Sequence, residues 1–145
     1  MKYWDASALV PLVVAEHGTE QARSWLRDDP TIITWAWTRV EITSAIERRF
    51  REKLITRAVR NSLLARFERL AEQWDEVTDL FAVRQRALRL LARHPLRTAD
   101  AGQLAAALVV AGEQGVSGLA FVCFDERLGA AAELEGFRVL PETKD

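Results

Sequence analysis

The chain predicts an α/β fold: a central, mostly parallel β-sheet of about five strands, sandwiched by α-helices, with a protruding helical hairpin. Three observations carry this. Short apolar or β-branched segments alternate with helical patterns along the whole length. One of them, Leu119–Phe124, is apolar without a break, as in a strand buried on both faces. Finally, four acids (Asp5, Glu41, Asp100 and Asp125) each sit where a hydrophobic run meets the start of a helical pattern. In a parallel sheet such points gather along the carboxyl edge.

Lys2 to Trp4 reads as the first strand. Ser7 to Glu16 reads as a short buried helix, with Leu9, Val10, Leu12, Val13 and Val14 apolar. Pro11 is tolerable only near a first turn, so this helix is expected to begin late or to bend. Gly18 breaks it. Thr19 to Asp29 is helical, with Ala22, Trp25 and Leu26 on one face, and Pro30 ends it. Thr31 to Trp35 is β-branched and strand-like. Thr38 opens a long helix through Lys53, whose apolar face is Ile42, Ala45, Ile46 and Phe50. A second runs from Thr56 to Trp74, with Val59, Leu63, Phe67 and Leu70 expected inward. The short link between the two implies an antiparallel hairpin. Glu76 to Thr78 reads as a brief strand, Phe81 to Arg93 as a helix closed by Pro95. Thr98 to Glu113 is apolar on nearly every side, which marks a central helix. After the apolar strand, Asp125 starts a last helix, Gly136 ends it, and Phe137 to Leu140 is the final strand.

With 145 residues, 49% of them hydrophobic, the chain suits one globular domain over residues 1–145. No apolar run reaches membrane-span length, so no membrane partner is expected. The N-terminus meets Asp5 at once and does not read as a signal peptide. Cys123 is the only cysteine, which excludes an intrachain disulfide and makes the cytoplasm the expected location. A formal net charge of -1 offers no bulk steering toward nucleic acid. Any such binding has to come from local arginines and a metal.

Each acid has an ordinary structural use. Asp5 and Asp125 suit helix caps. Asp100 lies in a first turn, where the helix dipole favours an anion. Thr38-Arg39-Val40-Glu41 spells a capping box. Four carboxylates together ask for more. Serine, threonine or asparagine caps as well without mutual repulsion. Carboxylates are hard oxygen donors suited to Mg²⁺ or Mn²⁺. His17 and His94 have no histidine or cysteine partner at zinc spacing. Two other readings stay open on the residues alone. One is an aspartate-nucleophile phosphotransferase, although Ser7 stands where those enzymes generally carry a second aspartate. The other is a non-catalytic binding module whose acids serve as caps and docking charges.

The segments around the acids resemble the PIN-domain ribonucleases, most closely the VapC toxins of toxin–antitoxin pairs. The resemblance rests on Asp5-Ala6-Ser7-Ala8-Leu9, on Val40-Glu41-Ile42-Thr43-Ser44-Ala45, and on Leu96 to Ala105 around Asp100. It is completed by Phe124-Asp125-Glu126-Arg127-Leu128 with Ala131, Ala132 and Gly136. It implies a PIN fold and hydrolysis of RNA phosphodiester bonds at a Mg²⁺ or Mn²⁺ site formed by Asp5, Glu41, Asp100 and Asp125. Ser7 becomes the hydroxyl that supports this site. A homodimer and a small protein antitoxin, docked in the groove beside the first long helix, are further implications. Gln103 departs from the histidine or other polar residue usual there and bears on substrate contacts. Arg39 and Arg97 flank the acids in sequence and suit either phosphate contact or a solvated surface, the surface reading being the preferred one for Arg39. Arg48, Arg49, Arg51, Lys53, Arg57 and Arg60 form a basic run around the hairpin turn, for which a solvated face is expected. Trp35 and Trp37 suit base stacking or packing, and Cys123 a small core position.

Overall fold

The structure, a computed structural model, describes residues 1–112 and 115–143. Their strands are β1 (Lys2–Trp4), β2 (Ile33–Trp35), β3 (Asp75–Val77), β4 (Ala120–Val122) and β5 (Arg138–Leu140). Their helices are α1 (Ala6–Val13), α2 (Thr19–Asp28), α3 (Thr38–Arg51), α4 (Arg57–Ala71), α5 (Leu80–Arg93), α6 (Thr98–Ala111) and α7 (Glu126–Leu134). The strands form one sheet in the order β3-β2-β1-β4-β5, every pairing parallel. From β1 the chain first builds outward to β3. It then crosses back through α5 and α6 to place β4 on the other side of β1. The strand order therefore reverses between β1 and β4, and a crevice opens outside their carboxyl ends.

Alternation along each strand divides the core in two. Tyr3, Phe121 and Val139 pack on one face with Leu104 of α6, Val83 and Leu90 of α5, and Leu128 of α7. Tyr3 stacks on Phe121 at 5.5 Å between ring centres. Trp4, Val122 and Leu140 pack on the other face with Leu9 of α1, Ile42 and Ile46 of α3, and Leu63 and Phe67 of α4. Sheet and helices thus form three layers, as the sequence predicts. The α3–α4 pair is the expected hairpin; Lys53 turns its corner at φ 57° and the Thr56 hydroxyl caps α4 by accepting from the Val59 amide.

Several boundaries differ from expectation, each for a local reason. Strands β2, β4 and β5 are shorter than expected, three residues apiece, because pairing covers only that much of each apolar run; β1 has its expected bounds and β3 is shifted by one residue. Helix α1 begins at Ala6, ahead of Pro11 rather than late, and ends two residues past it; Asp5 supplies the start signal by accepting from the Ser7 amide. Val59 is 43% exposed rather than inward: it lies in the first turn of α4, where the buried row of Leu63, Phe67 and Ala71 has run past the core. In α6 the described helix ends at Ala111, and the expected last residue, Glu113, lies outside the described residues. Among the described residues no helix is long and apolar enough to cross a membrane.

One close approach matters to the site. Gly102 of α6 lies against Trp35, and a Cβ there would stand 2.4 Å from the indole ring. Gly102→Ala is therefore expected to lose about 1–3 kcal/mol through overpacking, read as a lower midpoint in urea unfolding; an unchanged midpoint contradicts this packing.

Candidate active site

The four acids stand on four segments that end or begin at the carboxyl edge. Asp5 follows β1, Asp125 follows β4 after two residues, Glu41 lies in the first turn of α3 after β2, and Asp100 lies in the first turn of α6. Glu41, Asp100, Asp125 and Ser7 line one cleft of about 440 Å³ between α1, α3 and α6. Asp5 is buried, 3% exposed, and joins the cleft through Ser7. A larger depression of about 620 Å³ adjoins it, sharing Ser7 and Asp125 and continuing past Phe124 to His17. Only the smaller cleft brings Glu41 and Asp100 together with them.

Electrostatics bind the set into one unit. Burial pushes the Asp5 carboxyl up to about 6, against the pull of its bonds from Ser7, and Asp100 pushes it further. Burial raises Glu41 to about 7; Gln103 opposes this, and Asp5 and Asp100 add to it. Asp100 is raised by burial and by Asp125, with Arg97 and Arg127 pulling the other way. Three acids thus resist ionising, chiefly because they are buried and further because each stands near another of the set.

The arrangement is looser than a closed ligand cup. As the side chains stand, no three His, Cys, Asp or Glu groups among the described residues are spaced to hold an ion. The inner acids are held firmly. Asp5 Oδ2 accepts from the Ser7 hydroxyl at 2.5 Å and from the Ser7 amide at 3.1 Å. Glu41 Oε1 accepts from Gln103 Nε2 at 3.0 Å. Asp125 Oδ1 caps α7 through the Leu128 amide at 2.9 Å. Asp125 is exposed and Asp100 half-buried, so these two form the rim of the set.

Structural roles are thereby sorted. Asp5 and Asp125 do cap helices. The expected capping box at Glu41 is not formed: Trp37, not Thr38, is the N-cap of α3, and no side chain caps it. Thr38 is instead buried and bonded to Thr34 and Gln103, which leaves Glu41 without a capping role.

Comparison with known proteins bears on this arrangement. The PIN domain family model matches residues 2–134. The chain belongs to the PIN-domain family. It is 34% identical over 147 aligned positions to two Mycobacterium tuberculosis proteins named ribonuclease VapC45 and ribonuclease VapC49. Those alignments cover 99% of this chain and 96% of each relative. The crystal structure of PAE2754 from Pyrobaculum aerophilum superposes with a TM-score of 0.62 at 20% identity, covering 96% of this chain and 88% of that one, a likeness of fold.

Around the acids of this PIN domain, the cations are not all where the sequence suggests. Arg39 is committed to Glu76 and lies over the Trp74 ring at 5.6 Å, so it does not flank the cleft. Arg97 lines it, as expected, beside Arg127 on the Asp100–Asp125 side. Arg48, expected on a solvated face, lines it too. Of the rest of that run, Arg49 pairs with Glu16, and Arg60 pairs with Glu47 and lies over Phe50, as does Arg57. Trp37 lines the cleft at 53% exposure, whereas Trp35 packs on α6. Cys123 is buried and touches Ser7 and Asp5; burial and Asp5 push its thiol up, away from the reactive thiolate.

Gln103 corrects a further expectation. It is fully buried, so it does not touch substrate; it bonds Glu41, Thr38 and Tyr3. A lone amide in a helix that from Ala101 onward is otherwise made of Ala, Gly, Leu and Val was the available signal.

The raised acids contribute to the pH dependence of stability, opposite in sign to the lowered Asp29, Glu76 and Glu135. Asp5 and Glu41 hold protons more tightly folded than unfolded. Their penalty is absent below pH ~4 and grows until pH ~7, so in chelator the protein loses stability across that window. Asp5→Asn is expected to flatten this slope and to leave stability at pH 7 level or higher, by on the order of 1–3 kcal/mol. Unfolding curves at several pH values check this; a sharp loss at pH 7 with an unchanged slope contradicts it.

Proposed function

We propose that this PIN domain is a divalent-metal-dependent endoribonuclease and the toxin of a toxin–antitoxin pair held in check by a small protein antitoxin. The observation that carries the reading is the meeting of four carboxylates at the point of strand reversal. The ribonuclease names of its relatives support it. The donor set fits Mg²⁺ or Mn²⁺ in chemistry, being oxygen throughout and in net negative excess. Asp5, Glu41 and Asp100 are the proposed ligands, directly or through water, and Asp125 completes the set. Closing it asks for side-chain movement, because no three of these groups among the described residues are spaced to hold an ion as they stand. When bound, such an ion supplies Lewis-acid chemistry: it activates water and offsets charge on the phosphate.

The chain's own residues do the rest. Ser7 fixes the orientation of Asp5 by donating both its hydroxyl and its amide to one oxygen. That commitment also speaks against the phosphotransferase reading, in which a second carboxylate is needed at this position. Arg97, Arg127 and Arg48 give the RNA backbone a local positive edge that the net charge of -1 does not. Trp37 offers an exposed face for a base, worth about 1–3 kcal/mol by stacking. Glu41 has no helix-capping duty, which weighs against the non-catalytic reading.

The two proposed partners take two surfaces. Trp37 and Val40 make the α1–α3–α6 cleft partly apolar beside its acids, suited to an antitoxin helix or strand carrying an arginine. The outer face of α5 carries exposed Leu80, Phe81, Leu88 and Leu91, an apolar stripe suited to a homodimer. The proposed setting is the cytoplasm, where Cys123 stays reduced.

The test is sequencing of RNA ends after induced expression in a heterologous bacterium. New ends with wild type and none with Asp100→Asn are expected; identical ends with both remove the nuclease reading. In a purified cleavage assay with Mn²⁺, Trp37→Ala is expected to raise KM about tenfold or more at near-normal kcat. An unchanged KM removes Trp37 from the substrate surface. Light scattering on the purified chain is expected to give a dimer; a monomer at all concentrations refutes the α5 interface.

A further inference from the structure

Behind Glu41 a buried chain of hydrogen bonds runs to the backbone of β1. Tyr3, Thr34, Thr38 and Gln103 are all fully buried, and each side chain in the chain is bonded. Proton counting gives the chain one direction. The Trp4 carbonyl can only accept, so the single hydroxyl proton of Thr34 goes to it, at 2.7 Å. Thr34 therefore accepts from Thr38, at 2.7 Å. With its own proton spent, Thr38 accepts from Gln103 Nε2 at 2.9 Å. The second proton on Nε2 goes to Glu41 Oε1 at 3.0 Å. Gln103 Oε1 accepts from the Tyr3 hydroxyl at 2.6 Å. Turned over, the amide would face carboxylate oxygen with oxygen and would leave Thr38 without a donor.

We infer that Gln103 is a positioning residue for Glu41: the directed chain from Tyr3 and Thr38 locks its amide, which holds Oε1 of Glu41 and leaves the other carboxylate oxygen for the cleft. The inference rests on the metal-nuclease reading for its consequence but not for its geometry. It accounts for an amide in the most buried stretch of α6, where Ala101 to Ala107 are otherwise apolar and packed against the sheet. It also gives Ser7 a counterpart: Ser7 holds one oxygen of Asp5 and Gln103 one oxygen of Glu41, so both inner acids are aimed by a neighbour. Such supporting contacts typically change metal affinity by about 10–100-fold.

Gln103→Met keeps the length and removes both donors. Three readouts decide the matter: Mn²⁺ affinity of the full chain by titration calorimetry, the melting temperature, and a metal-free crystal structure. The expected result is Mn²⁺ binding about tenfold weaker or more, with the Glu41 carboxylate moved from its wild-type position. A lower melting temperature with Glu41 unmoved, or with wild-type Mn²⁺ affinity, overturns the inference, since that is what simple core packing gives. Tyr3→Phe removes only the anchor of the amide and is expected to act in the same direction more weakly; it decides if Gln103→Met does not fold. If the wild-type chain binds no Mn²⁺, the metal reading fails, and the Glu41 position in the variant crystal alone settles whether Gln103 positions it.

Discussion

Negative charge crowded into one crevice is the constraint on which the rest of the molecule turns. The sheet reverses its strand order between β1 and β4, and that reversal opens the only kind of gap in a parallel sheet that several chain segments reach at once. Four of those segments bring a carboxylate. Burial, with a smaller share from mutual repulsion, holds Asp5 near 6 and Glu41 near 7, so neither ionises as a free carboxylate does. A fold that served stability alone would place neutral caps here, because these cost nothing in repulsion. The penalty makes sense where an added cation or a cationic partner returns it on binding.

How the penalty is contained explains the surrounding structure. The inner acids are fixed from behind, Asp5 by Ser7 and Glu41 by an amide that is itself fixed by Tyr3 and Thr38. The outer acids sit at helix starts, where the dipole favours an anion, and have arginines beside them. A buried, hydrogen-bonded floor and a more exposed rim suit the proposed metal site, in which an ion binds and RNA follows. The membership in the PIN-domain family and the ribonuclease relatives fit that division, and the cleft's exposed Trp37 and free arginines supply the groups that RNA binding asks for.

Much of this was legible in the residues, and the gaps have physical causes. The unbroken apolar run around Phe121 and the alternation of strand and helix patterns identified the parallel sheet, since only a sheet covered on both faces tolerates such strands. The seams between those patterns located the four acids. What the pattern could not carry was pairing between distant segments. Arg39 lies beside Glu41 in sequence yet turns to Glu76, 37 positions away. Glu41 fits a capping box locally, but a buried amide 62 residues on claims it. Val59 fits the helical stripe of α4, and Leu63 and Phe67 of that stripe are buried, but Val59 itself stands in the first turn, beyond the reach of the core. Gln103 signalled itself as a polar residue in an apolar helix; its partners depended on how α6, α3 and β1 meet.

The most direct test of the central claim is anomalous diffraction from crystals of the wild-type chain grown with Mn²⁺. A manganese peak in the α1–α3–α6 cleft is expected, coordinated by Asp5, Glu41 and Asp100, with Asp125 drawn toward it. No peak at that position at saturating Mn²⁺, or a peak only at other surface carboxylates, contradicts the account.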